Sequence, residues 1–172
     1  MARSAGLPPD SFDQIFFEQG ATRLLLTLNL IGAALVAVTV AIHAAGTTSW
    51  VRFVATRYLN EDGTWGTRRT LGAITSTVIV LISLHAIQIT VWAAAYRAVL
   101  PDGELATFEK ALYFSFVTFT TLGYGDITLS EGWRVLSGIQ ALNGIILVGW
   151  TTALLFAVVQ RSWQGLGRQE TK

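Results

Sequence analysis

One short segment, residues 120–126, has a composition that suggests a chemical role, with the sequence T-T-L-G-Y-G-D. Gly123 and Gly125 lie two residues apart, and glycine adopts φ > 0 at little cost. A backbone with φ > 0 at alternate residues turns successive carbonyl groups toward the same side. Carbonyl oxygens from several chains around one axis can replace the hydration shell of a cation. The segment therefore suggests ion coordination by backbone oxygens, without any covalent step.

Composition predicts that membrane helices position this segment. Hydrophobic residues make up 52% of the chain and charged residues 13%, whereas a soluble domain has about 25% charged residues. Long apolar runs predict three helices, 24–45, 71–98 and 133–160, each longer than the roughly 20 residues that span a bilayer. The alternative, three buried helices of a soluble bundle, would need more polar outer faces. The predicted fold class is therefore an all-α membrane protein with three transmembrane helices.

A fourth, shorter helix is predicted directly before the glycine-containing segment. Thr107 is suited to cap a helix 108–120, and Glu109 falls in its first turn, where a negative charge is favourable. This helix is too short to cross a bilayer. A re-entrant helix is tolerated at membrane depth where its non-helical backbone is buried or lines water. We therefore expect helix 108–120 and residues 121–126 to form a re-entrant loop.

The distribution of charge predicts the orientation in the membrane. Segment 46–70 carries four arginines against two acidic residues, and the tail 161–172 is also basic. Basic residues favour the cytoplasmic side, which predicts an extracellular N-terminal arm 1–23 and a cytoplasmic C-terminus in the cell membrane. Within 46–70, residues 49–58 interleave aromatic residues with arginine, which predicts a short amphipathic helix lying at the inner interface. A turn-rich loop follows at 60–66.

The short helix, the segment T-T-L-G-Y-G-D and the long apolar helix after it resemble the potassium channel family. Residues 71–160 are similar to the two-helix pore module of its small prokaryotic members, with one extra helix in front. The resemblance implies a homotetramer in membrane lipid that conducts K⁺ through a central pore, with no enzymatic activity and no cofactor beyond the ions. It also implies that residues 121–126 are the filter segment and that K⁺ is bound there by carbonyls and by the Thr121 hydroxyl: Thr121, Leu122, Gly123, Tyr124 and Gly125.

The resemblance assigns roles to the residues around the filter segment. Asp126 would ring the outer mouth, and Tyr113 is expected to donate a hydrogen bond to it. Support of the filter would come from Tyr113, Thr118 and Thr120, while the Tyr124 ring would pack behind the filter against Tyr113 and Phe114. Two departures from the family pattern stand out. Leu122 replaces the commonest valine, and Val117 replaces a glutamate found in some bacterial members.

The resemblance also assigns a cavity to the last helix. Gly144 stands about where related channels have a glycine hinge. Residues one turn apart place Val148, Thr152 and Phe156 on one face, which we expect to line the cavity, with Phe156 as a constriction near the inner mouth. The alternative is that this face packs against the helix 71–98. The absence of arginine at every third position in any helix argues against a voltage sensor.

Other functions stay open at this point. A channel that does not discriminate K⁺ from Na⁺ is one, although Tyr124 argues against it. A membrane redox protein that holds haem between His43 and His85 is another. The predicted helix ends place these histidines at different depths, roughly 20 Å apart, which favours interhelical hydrogen bonds, with Gln88 as a local partner of His85, and leaves pH-tuned gating as a hypothesis. The net charge of +1 gives no indication of nucleic-acid binding, and no soluble partner is identified.

Overall fold

The computed structural model describes residues 10–58, 67–101 and 103–167, with side chains described over 18–57, 70–101 and 103–161. Four α-helices follow one another within these ranges: α1 Asp10–Tyr58, α2 Thr67–Val99, α3 Phe108–Phe119 and α4 Arg134–Gly167. A short 3₁₀-helix, Glu131–Trp133, leads into α4. No strand is present in the described part of the chain, so the fold is all-α.

Three of the helices are long and apolar enough to cross a membrane. The candidate spans are Glu18–Arg57 in α1, Thr70–Val99 in α2 and Glu131–Arg161, which is mostly α4. α3, with 12 residues, is too short to span a bilayer of about 30 Å at a rise of 1.5 Å per residue. The chain therefore has the three long apolar helices and the one short helix that its sequence predicts.

The first helix is longer than predicted, and one prediction about it is wrong. Residues 49–58 do not form a separate helix at the interface, because α1 continues through them without a break. Val54 is buried against Ala73 of α2, with Trp50 packed beside them. The indole Nε1 of Trp50 donates a hydrogen bond to Thr77 Oγ1 at 2.9 Å. The end of α1 is therefore held upright against its neighbours instead of lying in the membrane plane.

Gly46 directly follows the predicted end of the first helix and lies inside α1. A side chain at this position would bring its Cβ to 2.5 Å from Leu84 Cδ2, so glycine permits α1 and α2 to approach closely. Gly46 is therefore a packing residue inside a continuous helix.

The other boundaries differ by small amounts at some ends and by about two turns at others. The predicted helix 71–98 is observed as Thr67–Val99 and the predicted helix 108–120 as Phe108–Phe119. The predicted helix 133–160 starts at Arg134 and extends to Gly167, so most of the predicted tail 161–172 is helical. Of the predicted N-terminal arm 1–23, the part from Asp10 onward belongs to α1. Residues 1–9, the turn-rich loop and residues 168–172 lie outside the described residues.

The helices pack around one apolar core near the end of the molecule that carries the filter segment. The extra helix α1 contacts both α2 and α4, and α3 lies between α2 and α4. Each helix contributes fully or nearly fully buried side chains to this core. They are Leu28 of α1, Trp92 and Tyr96 of α2, Ala111 and Phe114 of α3, and Leu136 of α4. Apolar burial thus fixes α3, and with it the filter segment, relative to the three spans.

Candidate ion-binding site

The short helix α3 is built as the sequence predicts, with polar groups closing both ends. At its start, Thr107 accepts a hydrogen bond from the Lys110 backbone N–H at 3.2 Å, and Glu109 lies in the first turn. At its end, the Thr120 hydroxyl donates to the Phe116 carbonyl at 2.7 Å. Thr120 therefore caps its own helix. The C-terminal end of a helix carries partial negative charge, and here it leads directly into the filter segment.

The backbone of the filter segment alternates in the sense of φ. Thr121, Gly123 and Gly125 have φ of 59°, 58° and 79°, whereas Leu122 and Tyr124 between them are not in the positive region. The two glycines occupy this region without strain. Thr121 is β-branched, and positive φ is rare and costly for such a residue. The sequence predicts the alternation at the glycines, and the structure extends it by one residue toward α3.

Hydrogen bonds to the last turn of α3 hold this strained backbone. The Thr121 N–H donates to the Thr118 carbonyl at 3.0 Å. The Val117 carbonyl accepts from two filter amides, Leu122 at 3.0 Å and Gly123 at 3.3 Å. The sequence analysis considered Val117 only for its side chain and missed this role. A backbone carbonyl carries no side-chain signal, so only the geometry identifies it.

Beyond the glycines, Tyr113 and Asp126 form the predicted contact. The Tyr113 hydroxyl donates to Asp126 Oδ2 at 2.7 Å, which confirms the predicted hydrogen bond. Both residues are exposed in the single chain. The bond to the carboxylate raises the pKa of the Tyr113 hydroxyl, since it stabilises the protonated phenol. The phenol therefore remains a donor throughout the neutral pH range.

Tyr124 does not pack as predicted. Its side chain is 68% exposed, and within the described residues no ring contact joins it to Tyr113 or Phe114. Phe114 is buried on the opposite side of α3, where its ring meets Tyr96 of α2 in an edge-to-face contact at 5.3 Å. Within one chain Tyr124 therefore does not make the expected contacts with Tyr113 and Phe114, since α3 turns Phe114 toward the apolar core.

A buried hydrogen-bonded chain behind α3 was not predicted. The Tyr96 hydroxyl donates to Gln140 Oε1 at 2.8 Å. Gln140 Nε2 in turn donates to the Ser115 carbonyl at 3.2 Å. These two hydrogen bonds therefore join α2, α4 and α3 behind the filter segment. In the sequence, they are indicated only by the glutamine at position 140 of an apolar helix.

Gly144 is buried where α4 passes the end of α3. A Cβ on Gly144 would overlap the Phe119 carbonyl oxygen. Its lack of a side chain therefore allows α4 to approach the last turn of α3. α4 is continuous through this position, so the role of Gly144 as a hinge stays a prediction, while its packing role is observed.

The three predicted cavity residues share an exposed face of α4. Val148 is 44% exposed, Phe156 is 61% exposed, and Thr152 is also exposed. The alternative that they pack against the helix 71–98 is wrong. The opposite face of α4, with Asn143, Leu147 and the half-buried Thr151, faces its neighbours instead.

The two histidines lie together, contrary to the predicted separation in depth. The rings of His43 and His85 stack with centroids 5.4 Å apart. The depth argument fails because α1 does not end near residue 45: it continues to Tyr58, which puts His43 near the middle of the span, level with His85. The predicted interhelical hydrogen bonds are observed, with Gln88 contacting both histidines. The stacked rings leave no space for a macrocycle between them, so the pair does not fit the haem alternative.

Residues 77–161 match a family model described as an ion channel. The matched region covers most of α2, all of α3, the filter segment and α4 as far as Arg161, and α1 lies outside it. No solved structure matches the chain. The match supports an ion-channel domain at residues 77–161, in a chain whose three long apolar helices are those of a multi-pass membrane protein.

Proposed function

We propose that the chain forms a potassium-selective channel in which four copies surround a central pore and conduct K⁺ passively. The observation that carries the proposal is the positive φ at Thr121, Gly123 and Gly125 within T-T-L-G-Y-G-D. This alternation is what a backbone requires to direct successive carbonyls toward one axis. Backbone carbonyls around such an axis can replace the hydration shell of K⁺.

The exposure of the filter segment in a single chain supports the proposal that several chains assemble. Residues 121–126 are all exposed, with Leu122 at 55% and Tyr124 at 68%. A strained segment at membrane depth needs further protein or water around it. Four copies would enclose the segment, and each Tyr124 ring would then pack on the neighbouring chain.

The exposed face of α4 supports the same assembly. Several large apolar side chains on this helix are at least 39% exposed. They include Leu142, Ile145, Ile146, Val148 and Phe156. In the proposed tetramer these residues line the cavity or contact the neighbouring α4. Phe156 lies more than three turns beyond Gly144, where a ring of four phenylalanines would narrow the inner end of the pore.

The two ends of the proposed pore differ in charge. The C-terminal end of α3 points its partial negative charge toward the ion path, and four Asp126 carboxylates at the outer mouth would raise the local cation concentration. Arg52, Arg57 and Arg161 lie toward the other end of the spans. Basic residues there favour a cytoplasmic location, so we propose an extracellular N-terminus and a cytoplasmic C-terminus.

Ion flux through purified protein in liposomes tests the proposal. We expect K⁺ flux that exceeds Na⁺ flux and is blocked by Ba²⁺, and we expect Gly123→Ala to abolish it, because alanine is strained at φ of 58°. Gly20→Ala is the matched control, since a Cβ at Gly20 meets no atom within 4 Å. Equal Na⁺ flux would replace the proposal by the non-selective channel. Flux that persists in Gly123→Ala would contradict the filter assignment.

A further inference from the structure

The inner halves of the spans meet in a closed cycle of polar side chains, the histidine cluster, formed by His43, His85, Gln88 and Thr151. His43 and Gln88 are fully buried. The cycle joins α1 through His43, α2 through His85 and Gln88, and α4 through Thr151. Buried polar groups in a membrane are costly unless they are paired, and here every ring nitrogen has a partner.

The hydrogen-bond roles around the cluster follow from the Gln88 amide. Gln88 Nε2 lies 3.4 Å from the Thr39 carbonyl oxygen, which can only accept. The NH₂ group therefore points to α1, and it also donates to His43 Nδ1 at 3.0 Å. The Gln88 Oε1 atom is left to accept from His85 Nδ1 at 3.1 Å. His43 Nδ1 is thus an acceptor and His85 Nδ1 a donor.

Thr151 closes the cycle on the other side of the two rings. His43 carries its hydrogen on Nε2, which lies 3.5 Å from Thr151 Oγ1. The Thr151 hydroxyl donates to His85 Nε2 at 2.8 Å. Every donor then meets an acceptor when both imidazoles are neutral and are opposite tautomers. A second proton on His43 places two donors, His43 Nδ1 and Gln88 Nε2, opposite each other. A second proton on His85 places a donor at Nε2, where the Thr151 hydroxyl hydrogen must then turn away.

Among the side chains that the structure describes, no other ionisable group is hydrogen-bonded to the cluster from the helices packed around it. From α1 it is faced by Thr39, from α3 by Phe119, whose ring centroid is 5.6 Å from that of His85, and from α4 by Trp150, at 5.3 Å from His43. The charged residues nearest along each helix are at least nine positions away in the sequence. They are Arg23 and Arg52 of α1, Arg69 and Arg97 of α2, Lys110 of α3, and Arg134 and Arg161 of α4, with Tyr96 as the nearest tyrosine of α2. A proton that enters the cluster therefore has no carboxylate to neutralise it.

We propose that His43 and His85 form a proton-binding site that controls how α1 and α2 hold the inner helix α4. Thr151 lies two turns beyond Gly144, where α4 passes the end of α3, and Asn143 Nδ2 adds a bond from α4 to Thr39 Oγ1 of α1 at 2.9 Å. In the neutral state the cluster keeps α4 against α1 and α2. Proton uptake disrupts the cycle at Gln88 or at Thr151, and loss of the closed cycle releases this part of α4.

The direction of the effect follows from the two faces of α4, and it rests on the proposed channel function. The face toward the histidine cluster carries Asn143 and Thr151, and the opposite face carries Val148 and Phe156. Holding α4 against α1 and α2 therefore keeps Phe156 away from the proposed axis. Release lets this apolar face move inward, so acidification closes the pore.

Flux measured as a function of pH tests the coupling. One bound proton can shift a two-state equilibrium by up to tenfold per pH unit. We therefore expect K⁺ flux to fall by at least about tenfold between about pH 7.5 and about pH 5. The double variant His43→Asn, His85→Gln should show no pH dependence. Thr151→Val, which keeps both histidines, should also lose it. Thr90→Val, whose hydroxyl bonds the Ala86 carbonyl of its own helix, should keep the full response.

A second readout does not depend on conduction. The chain has two histidines, so ¹⁵N NMR of histidine-labelled protein in detergent gives two ring systems that single variants assign. We expect two neutral, opposite tautomers at about pH 7.5, with His43 protonated on Nε2 and His85 on Nδ1. Thr151→Val should alter the His85 Nε2 signal.

The outcomes separate this proposal from the proposed function. Opposite neutral tautomers that are lost on acidification support the proton site, whether or not the protein conducts. Identical tautomers, or a charged ring at about pH 7.5, overturn it. Flux that does not change with pH, or that falls equally in the double variant, overturns the coupling to α4. Absence of flux at every pH, with the expected tautomers present, would reject the channel and retain the proton site.

Discussion

The filter segment and the histidine cluster are two polar regions of an apolar molecule, and they are built in opposite ways. The filter segment presents backbone atoms, is exposed along its length in one chain and is held by bonds to the turn directly before it. The histidine cluster is made of side chains from three helices, is buried, and has its hydrogen bonds satisfied within one chain. The conformation of the filter segment therefore depends on residues close in sequence, but one chain leaves the segment exposed. The histidine cluster is buried within one chain, but its contacts depend on packing between distant parts of the sequence.

This difference separates what each region controls. In the proposed channel, a change in the filter segment alters the ion path and leaves the contacts between helices intact. A change in the histidine cluster alters those contacts and leaves the proposed coordinating atoms intact. Gly144 lies between the two regions, because it contacts the end of α3 from the helix that also carries Thr151. Substitutions in the filter segment, in the histidine cluster and at Gly144 should therefore differ in their effects on conduction and on stability.

The largest expected effect is on conduction, from Gly125→Ala. Its φ of 79° costs an alanine about 1–2 kcal/mol in each chain, and four chains share the proposed filter. The exposed segment relieves this strain by changing its own conformation, so we expect K⁺ flux in liposomes to fall to background while the thermal unfolding temperature falls by no more than a few degrees. A large fall in the unfolding temperature would show that the filter segment stabilises the fold, and its contrast with the histidine cluster would then not hold.

Gly144→Ala should affect both properties. The added methyl group overlaps the Phe119 carbonyl, and overpacking of this kind costs about 1–3 kcal/mol. We expect a lower unfolding temperature in detergent together with reduced flux. Gly138→Ala is the control in the same helix, since a Cβ there meets no atom within 4 Å. Equal behaviour of the two variants would contradict the close approach of α4 to α3.

Gln88→Leu should lower stability and leave selectivity unchanged. The substitution removes the partner of His43 Nδ1 and of His85 Nδ1, and unpaired buried polar groups cost about 1–3 kcal/mol. Thermal unfolding measures this loss, and the ratio of K⁺ to Na⁺ flux measures selectivity. Gln19→Leu, at an exposed position of α1, should match wild type in both. A changed ion ratio in Gln88→Leu would show that the two regions are not independent.

Phe156→Ala should raise the open probability, because it widens the proposed constriction. Its side chain is 61% exposed in the single chain, so little packing is lost and we expect a change in unfolding free energy of less than about 0.5 kcal/mol. Single-channel recording gives the open probability and the conductance. Wild-type values for both would rule out a gate at this position.

The smallest effect is expected from Tyr113→Phe, which removes the 2.7 Å hydrogen bond to Asp126. Filter inactivation should become several-fold faster, with flux at early times unchanged. The phenol donates while it is protonated, and its raised pKa means that the bond is lost only above the ordinary tyrosine value of about 10. Deprotonation of Tyr113 should therefore not change the inactivation rate of the wild-type protein between about pH 7 and about pH 9. An inactivation rate in Tyr113→Phe equal to that of wild type would contradict the role of the bond.

The predictions that failed concern features that are set by packing between residues distant in sequence. The helix 108–120, its Thr107 cap and the bond between Tyr113 and Asp126 involve residues close in sequence, and all are observed. The helix predicted at 49–58 and the depth of His43 both failed for one reason. They assumed that the first helix ends near residue 45 with its uncharged apolar run, whereas α1 continues to Tyr58 and packs against α2.

Sequence patterns alone predict the all-α class, the three long apolar helices, the short helix before the filter segment and the two glycines with positive φ. These features follow from the length of apolar runs, from helix caps and from residue conformational preference, which act over a few positions. The tertiary structure was needed to show that α1 continues to Tyr58, that Phe114 turns to Tyr96 and that the Val117 carbonyl accepts from two filter amides. It also brought His43, 42 positions before His85 in the chain, into a stack with it. The register between helices depends on the fit of whole faces, and no local pattern contains that information.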